Sequence, residues 1–343
     1  MNGQHRHQRA HLNLPILYII RSAGGKKWYF VEGLSVFFRT FVFVITELSI
    51  LIPTYNRDCT TLVQALSAQA EQVESLRYEI IIADDASPLS AVKEANRTLR
   101  SLPYCRVEEA AANAGRCVTR NRLAAWACYA YLLFLDSDVQ LPQPDFLLRY
   151  LACAEHDVVY GGVCLLPDEP LMRHNLRYRY EAAFLRTNDV ATRQSRPYQN
   201  FRTTNFLVRR DVMLAHPFDE RIRRYGYEDV LFGRSLAAAG IAVKHIDNPV
   251  VVDDFESNPD FLRKTHEGLQ TLLQMRHVMQ GYSELTAWSD KAARWHISGL
   301  CLLLYAAARP FIRRNLLGCT PHVLLYQVYR LGEYMRLCRD ARR

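Results

Sequence analysis

The sequence predicts an α/β fold in which helices flank a mostly parallel sheet. Apolar segments rich in β-branched residues alternate with segments of helical periodicity through the middle of the chain. The apolar segments are nearly continuous rather than alternating, which is typical of strands buried on both faces of a parallel sheet. With 343 residues, 49% hydrophobic and 23% charged, the chain is long enough to bury such a core.

The strand–helix alternation is clearest before residue 160. Apolar segments predict strands at 48–55, 78–87, 104–108 and 131–136. Helical spacing predicts intervening helices at 60–72, 89–102 and 116–130. We therefore expect the sheet to begin near residue 47.

The later part of the chain alternates less regularly. Residues 171–205 indicate a helix followed by a long loop, and residues 258–280 indicate a long helix with Pro259 near its start. The remainder is helical and basic. We predict a basic, apolar N-terminal extension over 1–46, one α/β domain over 47–280 and a helical C-terminal region over 281–343.

Polar, mostly acidic residues lie at the carboxyl ends of three of the predicted strands. They are Pro53, Thr54, Tyr55 and Asn56 after the first, Asp84 and Asp85 after the second, and Asp136 and Asp138 after the fourth. In open parallel sheets, ligands bind beyond the carboxyl ends of the strands. The three strand ends are therefore expected to meet in one crevice.

The two aspartates after the fourth strand, in the segment YLLFLDSDVQ, indicate a metal and a phosphate. Neighbouring carboxylates at one strand end repel each other, which raises their pKa values and costs stability. Mg²⁺ or Mn²⁺ removes that repulsion, and these ions usually enter with the phosphates of a substrate. The ion would then offset charge on a departing phosphate.

An aspartate pair of this kind suits two classes of enzyme, metal-dependent phosphohydrolases or nucleotidyltransferases and nucleotide-sugar glycosyltransferases. In haloacid-dehalogenase-like phosphohydrolases the motif opens the fold and continues with a Gly-Thr type turn. Here it follows three earlier strand–helix units and continues Val-Gln-Leu-Pro. The glycosyltransferase interpretation is therefore favoured, and the phosphohydrolase or nucleotidyltransferase is kept as the alternative.

Six segments in order resemble one family over roughly residues 47–280. They are LSILIPTYNR (48–57), EIIIADDAS (79–87), NAGRCVTRNRLA (113–124), LLFLDSDV (132–139), TTNFLVRRDVM (203–213) and GYEDVLFGRSL (226–236). Together they resemble the inverting family 2 glycosyltransferases of the GT-A fold. The resemblance implies a Rossmann-like sheet and transfer of a sugar from a nucleotide-sugar donor, a UDP-sugar, to a saccharide or lipid-linked acceptor in cell-surface polysaccharide or glycan synthesis.

The resemblance also implies which residues bind the substrates. They are Pro53, Tyr55, Asn56, Asp84, Asp85, Arg116, Arg120, Asp136 and Asn205. Pro53, Tyr55 and Asn56 would line the nucleobase pocket, where the Tyr55 ring supplies a flat apolar face. Asp85, with Asp84 beside it, would accept a hydrogen bond from a uracil-like base. Either arginine would lie near the base or the diphosphate, although Arg120 also suits an ion pair on a helix surface.

For the metal, Mn²⁺ or Mg²⁺, the resemblance implies Asp138 as ligand, with Asp136 on the ribose or donor sugar and next to the ion. Family members often complete the site with a histidine, but Val252 occupies the expected position here. Asp253 or Asp254 could take its place, or the protein supplies one strong ligand. His245 lies in a strand-like segment and is expected in the core.

Asp229 is implied to be the general base that deprotonates the acceptor hydroxyl, and Glu228 to contact the acceptor or donor sugar. The pair opens a predicted helix. The helix dipole lowers the pKa of a carboxylate at that position, whereas Glu228 and a nearby diphosphate raise it. A helix cap is the alternative role of the pair.

The net charge of +8 is unevenly distributed. Residues 1–46 sum to +5 and residues 291–343 to +8, so the middle of the chain is mildly acidic. Basic flanks mixed with leucines and aromatic residues fit an anionic membrane better than nucleic acid. We expect the region around Trp295, Leu302–Leu304, Phe311 and Arg313–Arg314 to dock on a membrane, and no nucleic acid partner.

Apolar runs in the two flanks are shorter than the ~20 residues needed to span a bilayer, so no transmembrane helix is predicted. The nine cysteines contain no CxxC pair, and Cys59, Cys117, Cys128, Cys153 and Cys301 are expected to be reduced and buried. Together these features predict a cytoplasmic protein, peripheral on the inner face of the membrane. The basic and aromatic segment 171–200 would cover or flank the acceptor, and an ordinary amphipathic surface helix is the alternative.

Overall fold

The computed structural model describes residues 17–21, 27–31, 44–222, 225–279 and 281–341. The strands in chain order are β1 (Leu17–Arg21), β2 (Lys27–Val31), β3 (Glu47–Thr54), β4 (Arg77–Asp84), β5 (Cys105–Glu109), β6 (Tyr131–Leu135), β7 (Val139–Gln140), β8 (Val158–Tyr160), β9 (Val163–Cys164), β10 (Asn205–Arg209), β11 (Val243–His245) and β12 (Val250–Val252).

The helices in chain order are α1 (Thr60–Glu71), α2 (Ser90–Arg97), α3 (Arg116–Trp126), α4 (Phe146–Leu151), α5 (Glu169–His174), α6 (Leu176–Leu185), α7 (Val190–Ser195), α8 (Arg210–Ala215), α9 (Glu228–Ala238), α10 (Asn258–Gln274), α11 (Glu284–Arg294), α12 (Ser298–Leu317) and α13 (Val323–Asp340). A 3₁₀ turn, Thr98–Ser101, extends α2. Each strand and helix predicted before residue 160 is present, with small differences at its ends.

The central sheet has seven strands in the order β11-β8-β10-β6-β3-β4-β5. β10 runs antiparallel to both of its neighbours, and the other strands run parallel to one another. The prediction of a mostly parallel α/β sheet flanked by helices is therefore confirmed. Two small antiparallel or mixed sheets accompany it, the hairpin β1–β2 and the three strands β7-β12-β9.

The central strand β3 explains why the strands read as continuous apolar runs. Ile50 and Ile52 pack on one face of the sheet in a cluster that includes Val63 of α1, and Leu51 packs on the other face with Leu123 of α3. All five side chains are fully buried. Burial on both faces removes the alternation that a half-exposed strand would show.

Residues 171–205 differ from the prediction, because the expected long loop contains α6 and α7. Asp168, Asn175 and Asp189 each accept a hydrogen bond from the backbone N–H three residues later, so a capped helix starts after each one. The basic and aromatic composition of the segment concealed these caps. α9 then packs closely on the loop after α7, where a Cβ at Gly233 would lie 2.4 Å from the carbonyl oxygen of Tyr198.

The C-terminal helices were predicted correctly and pack on the α/β domain. Tyr326 of α13 contacts Phe261 of α10 with ring centroids 5.2 Å apart. Glu333 of α13 is buried and accepts hydrogen bonds from Tyr305 and Arg309 of α12, at 2.7 and 2.6 Å. The helices after residue 281 therefore share their core with α10.

Among the described residues, no single helix has the length and hydropathy to cross a membrane; α11 and α12 satisfy that test only when joined across a 120° bend. Cys59, Cys117 and Cys153 are buried as expected, and no disulfide joins the described cysteines. Cys128 is exposed and Cys301 half-buried, so the burial predicted for these two is wrong. Within the predicted N-terminal extension, the structure describes residues 17–21, 27–31 and 44–46, and the rest of that extension lies outside the described residues.

Candidate active site

A cavity of about 850 Å³ opens at the carboxyl ends of β3, β4 and β6. The expectation that the three strand ends meet in one crevice is thus correct. The predicted site residues that line the cavity are Pro53, Tyr55, Asn56, Asp85, Arg116, Arg120, Asp136 and Asp138.

Two neighbouring turns form the wall after β3 and β4. Asn56 and Ala86 both adopt left-handed backbone conformations, with φ of 53° and 62°. The backbone N–H of Asn56 donates to Ser87 Oγ at 2.7 Å, and Ser87 Oγ donates to Asp84 Oδ1 at 2.6 Å. Asp84 is buried and does not line the cavity, so in this structure it fixes the turn that supports Asn56. The Tyr55 ring is 51% exposed and leaves a flat face open.

Asp85 positions the start of α3 at the cavity. Its two carboxylate oxygens accept hydrogen bonds from the backbone N–H groups of Ala114 and Gly115, both at 2.8 Å. Gly115 precedes α3 and has φ of 91°, a conformation that favours glycine. Each carboxylate oxygen can accept a further hydrogen bond, so Asp85 can hold this loop and contact a ligand in the cavity.

Arg120 and Asp136 form an ion pair on the floor of the cavity. Arg120 is 3% exposed, and its Nη2 donates to Asp136 Oδ1 at 2.5 Å. Its Nε and Nη1 are buried and have no hydrogen-bond partner among the described residues. A buried guanidinium with unused donors costs free energy, so this site favours an anionic or carbonyl ligand. The helix-surface ion pair considered for Arg120 is instead a pair inside the site.

Asp138 is a carboxylate of the cavity whose negative charge the surrounding residues compensate only in part. Burial raises its pKa and Asp136 raises it further, and Arg177 and Arg57 offset only part of that rise. A divalent cation between Asp136 and Asp138 would relieve this repulsion, so the donor set fits the predicted ion. Within the described residues, no three His, Cys, Asp or Glu side chains are arranged to hold a metal. Oxygens of a substrate would have to complete the coordination.

The position of the missing histidine lies beside the aspartate pair. In the pairing of β12 with β7, Val252 lies opposite Val139, the residue after Asp138. Asp253 and Asp254 follow, and each forms an ion pair with Arg57, at 3.5 and 3.4 Å. Asp254 lines the cavity.

His245 is buried in the core, as expected. Its Nε2 lies 2.9 Å from the carbonyl oxygen of Pro197, and burial lowers its pKa to about 4. The histidine is therefore a packed side chain of the sheet.

Glu228 and Asp229 open α9 next to the cavity without lining it. Tyr227, the residue before the helix, has φ of 69°. Glu228 is 7% exposed and its Oε1 accepts a hydrogen bond from Arg116 Nη1 at 3.0 Å. Its Oε2 is buried and has no partner among the described residues. One oxygen of Glu228 is thus held by Arg116 of the cavity wall, and the other is enclosed by the protein.

The two carboxylates have opposite pKa shifts. Burial and the charge of Glu228 raise the pKa of Asp229 to about 6, and the Val230 N–H and Arg202 only partly offset this. For Glu228, burial raises the pKa, but Arg116 and Arg120 outweigh burial and the net pKa is lowered. Near neutral pH Glu228 is therefore ionised, and Asp229 is a carboxylate with raised proton affinity, as suits a general base.

Other residues lie where the sequence did not indicate. Asn205, assigned to the substrate, is fully buried; its amide donates to the carbonyls of Gly162 and Asn248 and it does not reach the cavity. In the segment 171–200, Tyr178 is buried and Tyr180 packs against Tyr326.

The sequence did not indicate five residues that line the cavity, which are Arg57, Tyr225, Arg263, Lys264 and Glu267. The last three lie on the polar face of α10, and that face was the available signal.

Residues 49–216 match the family model described as "Glycosyl transferase family 2". Among solved structures, the mannosyltransferase PcManGT from Pyrobaculum calidifontis in complex with GDP-Man and Mn²⁺ has a TM-score of 0.50 and 15% identity. That match covers 88% of this chain and 90% of PcManGT. The likeness supports the same arrangement of sheet and helices.

Staphylococcus aureus TarS 1–349 in complex with UDP-GlcNAc matches with a TM-score of 0.48 and 17% identity. That match covers 86% of this chain and 91% of the TarS chain. No curated protein sequence matches this chain significantly.

Proposed function

This chain belongs to glycosyltransferase family 2, and we propose that it transfers a sugar from a nucleotide-sugar donor to a hydroxyl group of an acceptor with inversion at the anomeric carbon. The observation that carries the proposal is the convergence of Asp85, the Arg120–Asp136 pair and Asp138 in one cavity beside Glu228 and Asp229. The sequence predicted this group from three separate strand ends and one helix start.

The wall formed by Tyr55, Asn56 and Asp85 suits a nucleobase. The exposed Tyr55 ring offers a stacking surface, and Asp85 retains free acceptor positions for a base N–H. A uracil base presents such an N–H, which supports a UDP-sugar donor. The positive charges of Arg116 and Arg120 in the cavity lining suit the diphosphate.

A divalent cation, Mn²⁺ or Mg²⁺, held by Asp138 and Asp136, would offset the charge of the diphosphate as it leaves. The solved structure of PcManGT contains Mn²⁺ and GDP-Man. In this chain, the raised pKa of Asp138 supports the same kind of site.

Asp229 takes the proton of the acceptor hydroxyl. The hydroxyl oxygen then attacks the anomeric carbon from the face opposite the nucleoside diphosphate, so a new carbon–oxygen bond forms as the bond to the diphosphate breaks. Glu228 stays ionised through its contact with Arg116, and we assign it the contact to the acceptor or donor sugar that the sequence predicted. The acceptor is a saccharide or a lipid-linked saccharide, and the product belongs to a cell-surface polysaccharide or glycan. We also propose the cytoplasmic location, on the inner face of the membrane, that the sequence predicted.

Donor binding and turnover test the proposal separately. The purified full-length protein is screened by thermal shift against UDP- and GDP-sugars, with and without Mn²⁺. We expect one UDP-sugar to raise the melting temperature, and Mn²⁺ to increase that rise. If no nucleotide sugar raises the melting temperature, with or without Mn²⁺, the proposal is overturned.

Release of nucleoside diphosphate then separates the proposal from the phosphohydrolase or nucleotidyltransferase alternative. A glycosyltransferase releases nucleoside diphosphate in proportion to the acceptor saccharide added. A phosphohydrolase releases phosphate or nucleoside monophosphate by transfer to water, and a nucleotidyltransferase releases pyrophosphate from a nucleoside triphosphate as the nucleotidyl group bonds to a phosphate-bearing acceptor; neither depends on the acceptor saccharide. If the wild type forms these products and the Asp138→Asn variant does not, the alternative function replaces the proposed one.

A further inference from the structure

The C-terminal helices expose an unusual amount of apolar surface. Ten of the eighteen large apolar side chains exposed in the described residues lie between Trp288 and Val328. On α12, Leu300, Leu303, Leu304 and Phe311 are between 58% and 77% exposed. Exposed apolar residues are ordinary when scattered, but a concentration of this kind marks an interaction surface.

The exposed residues of α12 form one stripe, which consists of Leu300, Leu303, Leu304, Ala307 and Phe311. Their spacing of three, four and seven residues puts them on the same side of the helix. Tyr305, Ile312 and Leu316 lie on the opposite side and are buried against the rest of the protein. Since the inner side alone holds the helix in place, the outer stripe is not needed for the fold.

The charged side chains of α12 are all positive, and α11 carries Glu284 and Asp290 before Lys291. The sequence contains no Asp or Glu from Lys291 to Gly332. Lys291 lies between two exposed indoles, 4.9 Å from the Trp288 ring and 4.6 Å from the Trp295 ring. Arg294 and Arg314 are exposed near the two ends of the stripe. Trp beside a cation is typical of the boundary between lipid headgroups and acyl chains.

We propose that the stripe on α12, with Trp288 and Trp295, lies in the surface of an anionic lipid bilayer, parallel to the membrane plane. α12 has 20 residues and is therefore about 30 Å long, with one apolar side and a basic C-terminal half. A second copy of this chain is disfavoured as the partner, because the basic residues Lys291, Arg294 and Arg314 of two such surfaces would repel each other, and Asp290 of α11 is already paired with Arg276. The surface is formed by exposed side chains outside the cavity, so the inference goes beyond the catalytic proposal.

Sedimentation of the full-length protein with vesicles tests the inference. We expect binding to vesicles that contain phosphatidylglycerol, and weaker binding to pure phosphatidylcholine or at high salt. The Trp fluorescence should shift to shorter wavelength on binding, because Trp288 and Trp295 leave water. Absence of binding to the anionic vesicles would overturn the inference.

The double variant Leu303→Glu/Phe311→Glu should lower the vesicle partition coefficient by about tenfold or more. Leu148→Glu, at a 53% exposed position of α4, is the matched control and should bind like the wild type. A second pair, Leu303→Ser/Phe311→Ser, repeats the test without added charge. Far-ultraviolet circular dichroism and melting temperature show that each variant is folded.

Two further outcomes would contradict the inference. One is equal vesicle binding by the wild type and both double variants. The other is a wild-type dimer in light scattering that Leu303→Glu/Phe311→Glu converts to a monomer, without vesicle binding by either protein; the stripe would then join two copies. Vesicle binding does not require sugar transfer, so failure here leaves the proposed enzymatic function standing.

Discussion

Arg116 donates a hydrogen bond to Glu228 across the cavity wall, with Nη1 and Oε1 3.0 Å apart. This contact joins the first residue of α3 to the first residue of α9, so the loop held by Asp85 and the helix that carries Asp229 are fixed to each other. It also keeps Glu228 ionised beside Asp229, and that negative charge is one cause of the raised pKa of Asp229.

Asp229→Asn should abolish transfer and leave donor binding nearly unchanged. The amide keeps the shape of the carboxylate but cannot take the acceptor proton, and loss of a general base typically costs about 10²–10⁴-fold in rate. Acceptor-dependent release of nucleoside diphosphate measures the first effect, and thermal shift with the donor measures the second. Turnover near the wild-type rate would refute the assignment of Asp229 as the base.

The pH dependence of transfer should report the same carboxylate. The pKa of Asp229 is raised from 3.8 to about 6, so the basic form is dominant above pH 6 and is lost as the pH falls. We expect kcat/KM to be half-maximal near pH 6 and to fall about tenfold for each further pH unit below it. Glu228→Gln removes one cause of the raised pKa and should move this limb to lower pH. The prediction fails if the profile is flat between pH 5 and 7 in the wild type.

The same pKa predicts a gain in stability for Asp229→Asn. A folded-state pKa above the unfolded value means that stability from this group is present below about pH 4 and lost as the pH rises through 6. The asparagine variant does not suffer that loss. Its melting temperature should exceed that of the wild type at pH 8 by more than at pH 4, and equal differences at the two pH values would contradict the pKa shift.

Arg120→Ala should weaken both the fold and donor binding. It leaves Asp136 without its partner and opens a hole where a 97% buried side chain stood. We expect a loss of stability below the roughly 3–5 kcal/mol of a fully buried pair, because Asp136 is 28% exposed. Denaturant unfolding measures the stability, and Arg122→Ala, a neighbouring arginine of α3 outside the cavity lining, is the control. Equal donor affinity in the two variants would exclude a donor contact by Arg120.

Gly332→Ala tests the packing of the C-terminal helices. A Cβ at Gly332 would lie 2.3 Å from the Tyr305 ring, so α12 and α13 would have to separate. We expect a destabilisation of about 1–3 kcal/mol. Gly299→Ala on α12 meets nothing within 4 Å and should be neutral or stabilise by up to about 1 kcal/mol. Thermal unfolding that ranks the two variants the other way would contradict the described packing.

The sequence predicted the strand ends well because parallel strands impose a strong pattern. Buried β3, β4 and β6 appear as apolar runs, and the polar residues that end them had to share one edge of the sheet. The pattern could not distinguish Asp84 from Asp85, since adjacent residues at a strand end point to opposite sides. Asp84 supports a turn, and Asp85 faces the cavity.

Contacts between residues far apart in the chain could not be predicted from the sequence. Asn205 looked like a site residue because of the motif around it, but its amide is used to join backbone carbonyls in the core. The cavity side of α10 was missed because the amphipathic pattern of a helix does not show whether its polar face lines a cavity or faces solvent. The Arg120–Asp136 pair likewise depends on how α3 lies against β6.

The reversed direction of β10 has a consequence for how such a protein can diversify. β8 ends and β10 begins at the edge of the sheet where the cavity opens, so the 44 residues from Gly161 to Thr204 both leave and return there. Lengthening or exchanging the part after β9, residues 165–204, would change side chains near Asp138 and Asp229, among them Arg177 and Arg202, and would leave every strand pairing in place. For the proposed reaction, we expect an exchange of this segment to change the acceptor preference, because the donor contacts proposed for Tyr55, Asp85 and Arg120 lie outside it.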